Sequence, residues 1–113
     1  MIEVKIRNYL IEKLHTNNVF LETPKTGDDY IVFTIVDRSR ENLIDAVTVR
    51  FYSYSTSKLN AALLDESVRN AILEIPEYQD ITSAKLSGGG DAFDTSLKKY
   101  RYACYFNLTY MEG

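Results

Sequence analysis

Residues 46–75 constrain this chain most, because a period of two there gives way to a period near 3.6 within about three residues. Val47, Val49 and Phe51 alternate with Thr48, Arg50 and Tyr52, the pattern of a strand with one buried face. Leu64, Val68, Ala71, Ile72 and Ile75 then recur on one side of a helix. Thr56 or Ser57 is placed to cap that helix, and Pro76 is expected to end it. Val47, Val49, Phe51, Leu64, Val68 and Ile72 should hold the core where the strand and helix pack together. This junction carries no reactive group.

The flanks extend the same logic. Ile2, Ile6, Leu10 and Leu14 lie four apart, with Tyr9 and Ile11 widening the stripe, which predicts a first helix ending near Asn17 and Asn18. Val19, Phe20 and Leu21 suit a short strand before Pro24 and Gly27 break the pattern. The run YIVFTIV over 30–36 reads as a central strand buried on both faces, or one whose second face meets another subunit. DRSREN, 37–42, reads as a charged hairpin loop leading back into a strand at about Leu43.

A weaker strand over 81–86 should precede a polar loop, SGGGDAFDTS, and a final strand over 97–110. In that strand Tyr100, Tyr102, Cys104, Phe106, Leu108 and Tyr110 form the expected core face, with Arg101, Ala103, Tyr105, Asn107 and Thr109 opposite. The order helix, strands, helix, strands gives an α+β fold, a mainly antiparallel sheet packed against two α-helices. Two helices are too few for the crossovers of a parallel sheet. At 113 residues the chain is expected to be one domain, 1–113.

Composition narrows the chemistry. The formal charge of −3 provides no general attraction to phosphate backbones. One cysteine, Cys104, excludes an internal disulfide and fits a reducing compartment. Glu3, Lys5, Arg7, Glu12 and Lys13 interrupt the apolar residues near the start, unlike a signal peptide or membrane span, so a cytoplasmic setting without membrane contact is expected.

His15, the one histidine, has no Ser, Cys or Asp at a catalytic spacing and reads as a boundary residue. Cys104, alternating with Tyr102 and Phe106, should be apolar-buried and inert. Gly88, Gly89 and Gly90 lack the Lys and Ser/Thr of a phosphate loop and read as a flexible hairpin tip. Asp28, Asp29, Asp91 and Asp94 have neither calcium-loop nor acid/base spacing and read as solvated loop acids. The expectation is therefore no enzyme, metal or cofactor. An enzyme would need a cleft where His15 or Cys104 meets a carboxylate.

Nine tyrosines suit strands and protein interfaces, where a large ring is buried while its hydroxyl keeps a partner. The acidic balance and the lack of an RNP-type motif put protein contact ahead of base stacking. Candidate interface residues are Tyr30 and Phe33, the polar strand face bearing Arg50, Tyr52 and Tyr54, and Arg101 and Tyr105 in the last strand.

An N-terminal helix, residues 19–24 leading into YIVFTIV, the segment VTVRFYSYSTSKLNAALLDESVRNAIL and the strand KKYRYACYFNLTY together resemble the tail-terminator and tail-completion proteins of long-tailed phages and prophages. The resemblance spans nearly the whole chain and rests on element order and the strand-to-helix junction. It implies an α+β fold, a homo-oligomeric ring, usually hexameric, and contacts with tail-tube and head-connector proteins. It further implies a place in the virion tail after assembly in the bacterial cytoplasm, with DNA passing through the ring without specific binding. It implies no cofactor or catalytic residue. A ring needs a heterologous interface, for which the strands at 30–36 and around Tyr102 to Tyr105 are the candidates, while loops 37–42 and 87–96 should stay mobile until a partner orders them. Asp28, Asp29, Asp91 and Asp94 are the acids considered for a DNA-repelling lumen. The alternatives are a head-to-tail connector or neck protein, and an α+β module binding nucleic acid or ligand on its tyrosine-rich sheet.

Overall fold

The strand expected around Val47 forms the centre of the sheet. The computed structural model describes residues 1–111, so the last two positions of the expected 1–113 domain lie outside the described residues. The elements follow in the order α1 (Ile2–Leu14), β1 (Val19–Phe20), β2 (Tyr30–Glu41), β3 (Ile44–Ser55), α2 (Lys58–Leu73), α3 (Ile75–Tyr78), β4 (Ile81–Asp91) and β5 (Tyr100–Tyr110). The sheet runs β1-β2-β3-β5-β4, with every neighbouring pair antiparallel except the short parallel β1–β2 contact. The fold is α+β, with the expected element order plus one short third helix. The central position belongs to β3 and not, as the apolar run suggested, to β2.

Strand alternation sorts the side chains by face. Ile31 and Phe33 of β2, Val47, Val49 and Phe51 of β3, and Cys104, Phe106 and Leu108 of β5 enter one buried cluster. Against them pack Ile2, Ile6, Tyr9 and Leu10 of α1, Val68, Ala71 and Ile72 of α2, and Ile75 of α3, with Leu64 partly buried beside them. All three helices thus serve one face of the sheet. Each fully buried aliphatic or Phe side chain contributes about 1.5–3 kcal/mol. The Tyr9 hydroxyl donates to Ala71 O at 2.6 Å and ties the two long helices together.

The caps refine the helix limits. Ser57, not Thr56, caps α2, its Oγ accepting from Asn60 N at 3.1 Å. Pro76 does not terminate that helix; α2 ends at Leu73, and Pro76 sits in the first turn of α3, where a missing N–H leaves no bond unmade. The first helix stops at Leu14, earlier than expected, because His15 turns left-handed at φ 55.

Two expected loops are largely strand. Residues 37–41 continue β2, and the connection to β3 shrinks to Asn42 and Leu43, whose φ values of 53 and 67 fit a type I′ hairpin turn. The charges that suggested a loop are accommodated as pairs, Arg38 with Glu3 of α1 and Arg40 with Asp45 across the hairpin.

Likewise β4 extends through Gly88, Gly89 and Gly90, which pair with Tyr105, Cys104 and Ala103, so the glycines are not a hairpin tip. Their φ values of 152, 144 and 148 suit only glycine. At Gly89 a Cβ would lie 2.1 Å from Ala103 O and 2.6 Å from an Arg69 terminal nitrogen. The bare backbone lets Arg69 reach from α2 to Ala103 O, a 3.1 Å hydrogen bond.

Along β5, Cys104, Phe106, Leu108 and Tyr110 are buried as expected, but Tyr100 is 42% exposed and Tyr102 half-buried. The strand begins at Tyr100, three residues later than expected.

Candidate functional site

With the helices gathered on one side, no helix covers the other face of the sheet, which is the open face in that sense. Period two sends Thr48, Arg50, Tyr52 and Tyr54 of β3 to that face. Their cross-strand partners bring Tyr30, Val32 and Thr34 from β2, and Arg101, Ala103, Tyr105 and Asn107 from β5. All the candidate interface residues except Phe33 therefore share one face. Tyr30 and Tyr54 are each only 2% exposed there, held against Lys99 and Asp94, so they are buried support and not accessible interface. That leaves Arg50, Tyr52, Arg101 and Tyr105 partly exposed. Phe33 lies three positions from Tyr30, an odd spacing that turns it to the helix side, where it is fully buried and stacks on Phe51 at 5.7 Å. Phe33 is a core residue and not an interface residue.

The open face is an interleaved set of aromatic rings and guanidinium groups. Tyr30 stacks on Tyr54 with centroids 4.6 Å apart, and Tyr52 meets Tyr54 edge-on at 6.3 Å. Arg101 lies 4.1 Å and Arg50 4.4 Å from the Tyr52 ring centre, so two cations address one ring. Tyr105 is half-buried opposite Arg50. The two arginines differ in their charge partners. Arg101 donates to Asp94 Oδ2 at 3.2 Å and, through Nε, to Ala92 O at 2.7 Å. Arg50 has no carboxylate among the described residues, and its buried Nε has no acceptor.

Asp94, expected as a solvated loop acid, is instead an anchor at 8% exposure. Its Oδ1 accepts from Ser96 N and Leu97 N, each at 3.0 Å, while Oδ2 accepts from Tyr54 Oη at 3.0 Å and from Arg101. Burial pushes this carboxyl up, but the Leu97 N–H, the Tyr54 hydroxyl, the Arg101 charge and the Ser96 N–H outweigh burial and hold it below the ordinary carboxylate range. Burial also raises the Tyr54 phenol, the nearby arginine acting against it. Lys99 then fastens the same end of the face, donating to Gly27 O at 3.1 Å and Tyr30 Oη at 3.2 Å.

These bonds make residues 92–99 a pinned turn. The expected mobile loop at 87–96 is therefore part strand and part anchored turn. Of the acids considered for a lumen, Asp94 is engaged in this network, Asp91 pairs with Lys58 at 3.3 Å, and Asp29 accepts from Ser55.

Between this turn and the segment after β1 lies a shallow groove of 520 Å³, lined by Leu21, Val32, Thr34, Arg50, Tyr52 and Leu97 among others. Sequence patterning missed Leu21, Leu97 and Asp94. The local sign for Asp94 was Asp followed by Thr and Ser, which favours a side chain accepting from backbone two and three residues on.

The other candidate chemistry is dispersed. Cys104 does lie beside a carboxylate, that of Asp65. The thiol is fully buried, however, and is pushed up to about 12 by burial and then by the Asp65 charge, with Arg69 acting against both. Asp65 is itself raised, burial outweighing its Arg69 ion pair at 2.7 Å, and one of its oxygens is buried without a partner. This cluster joins α2 to the sheet, with both the Cys104 thiol and the Asp65 carboxylate buried. His15 lines a separate 480 Å³ surface depression with Tyr9, Glu12, Lys13, Tyr78 and Gln79. His15 shares that depression with the Glu12 carboxylate, and no hydrogen bond or ion pair joins the two among the described residues.

Among the described residues no group of His, Cys, Asp or Glu is placed to hold a metal, and no helix is long and apolar enough to cross a membrane. The chain matches no protein-family model and no curated protein. Its functional reading rests on the open face.

Proposed function

We propose that this protein is a structural assembly component: a homo-oligomeric ring that caps the head-proximal end of a phage tail tube and joins it to the head connector. The observation that carries the reading is the helix-free sheet face, where Arg50, Tyr52, Arg101 and Tyr105 are partly exposed beside the buried Tyr30–Tyr54 stack, with all helices on the opposite side. Tyrosine and arginine are the residues that protein interfaces concentrate at their centres. Binding energy on that face would terminate the tube by occupying its polymerisation surface. DNA passes through the ring without specific binding, and no membrane or cofactor takes part.

Guanidinium groups on Tyr52 favour a protein contact over base stacking, since they occupy ring area that a base would need. A head-to-tail connector would use the same kind of ring. The two roles separate by partner, because a terminator binds the end of isolated tail tubes and a connector binds the head portal. Mixing purified protein with tail tubes, followed by electron microscopy, tests the reading. Density confined to one tube end is expected, and bare ends at saturating protein would overturn it.

A further inference from the structure

The β2–β3 hairpin ends in a residue unsuited by backbone and side chain to an exposed turn. Leu43 adopts φ 67, a conformation that strains residues with a Cβ and that glycine usually fills in such turns. Its side chain is 68% exposed, that of Ile44 is 43% exposed, and every residue over 36–44 is exposed. Glu41, flanking the turn, makes no ion pair among the described residues. The other end of the open face holds the complement. There the groove presents Leu21 and Leu97, each 46% exposed, beside the Arg50 guanidinium, which makes no ion pair among the described residues although Glu22 and the Arg101-paired Asp94 also line the groove.

Apex and groove each join exposed apolar side chains to a charge without an ion pair among the described residues, Glu41 on the apex and Arg50 in the groove, but one molecule cannot bring them together. Ile44 and Arg50 lie on the same continuous strand, about 20 Å apart at roughly 3.3 Å per residue. The occupant is therefore a second copy. Resting on the ring reading above, we propose that the Leu43 apex of one copy seats in the open-face groove of the next, with Glu41 paired to the second copy's Arg50. The contact joins two different surfaces, so it repeats head to tail and closes when the rotation permits.

Sedimentation velocity over a concentration series tests the contact, using Leu43→Gly, Glu41→Arg, Arg50→Glu and the double variant Glu41→Arg/Arg50→Glu, each checked by circular dichroism. Leu43→Gly should raise the melting temperature, by relieving the turn, while weakening self-association at least tenfold. Opposite signs from one exposed residue are not expected of a purely structural leucine. Each single charge reversal should weaken association, and the double reversal should restore it. Should Arg50→Glu fail to fold, Leu43→Gly still decides the matter. If the wild type assembles and Leu43→Gly assembles equally well, or a folded double variant is no better than its parents, this contact is overturned and the ring reading stands. If the wild type remains monomeric both alone and with tail tubes, the ring reading fails and this contact with it.

Discussion

Arg101 donates to the Asp94 carboxylate at 3.2 Å, tying the turn after β4 to the open face of the sheet. The same carboxylate accepts from Tyr54, so the pair also positions the ring that stacks on Tyr30. Asp94→Asn should cost about 2 kcal/mol at neutral pH, in line with roughly 1.5–3 for hydrogen bonds to charged groups. Urea unfolding measures it.

The pH dependence of that contribution has a defined sign. The folded-state carboxyl of Asp94 sits below its ordinary value. Its stabilisation is therefore fully present above the unfolded pKa, about 3.9, and is lost as pH falls through the folded value. Melting temperatures between pH 7 and pH 2 should converge for wild type and Asp94→Asn at the acid end. A constant difference across that range would contradict the network.

Gly89→Ala should destabilise more than Gly88→Ala. Both residues have φ values that strain an alanine, about 1–2 kcal/mol, but only at Gly89 would the new methyl strike Ala103 O and Arg69. Overpacking adds about 1–3 kcal/mol, for a total near 3 kcal/mol at Gly89. Equal denaturation midpoints for the two variants would show that the close approach of Arg69 is not maintained in solution.

Burial and the neighbouring Asp65 charge push the Cys104 thiol up to about 12. A disulfide reagent at pH 8 should leave the native protein unmodified and titrate one thiol after unfolding in guanidinium. Rapid native labelling would mean that β5 opens locally.

Ser57→Ala should cost about 1 kcal/mol and Thr56→Ala much less, since only Ser57 accepts from the first turn of α2. Thermal denaturation of the two variants distinguishes them.

Periodicity is a sound guide wherever a residue's role depends on which face it occupies. Val47, Val49 and Phe51 pack inward and Arg50, Tyr52 and Tyr54 outward because alternation along a strand is geometric. The same alternation separates Tyr30 from Phe33, since residues three apart on one strand point to opposite faces. Composition misleads where polar or flexible residues lie in strands: Arg38 and Arg40 find partners on α1 and across the hairpin, and Gly88 to Gly90 extend at φ values closed to other residues. Asp94 is illegible in the sequence for a different reason. Its Tyr54 partner is forty residues away, and only the folded sheet brings the two together.

The central claim is that the open face docks protein to build a ring. Sedimentation velocity of wild type and Tyr52→Asp, alone and with tail tubes, tests it most directly. A discrete ring-sized species is expected for the wild type, with Tyr52→Asp folded but monomeric. A wild type that stays monomeric throughout, or rings unaffected by a charge at the centre of the face, would contradict it.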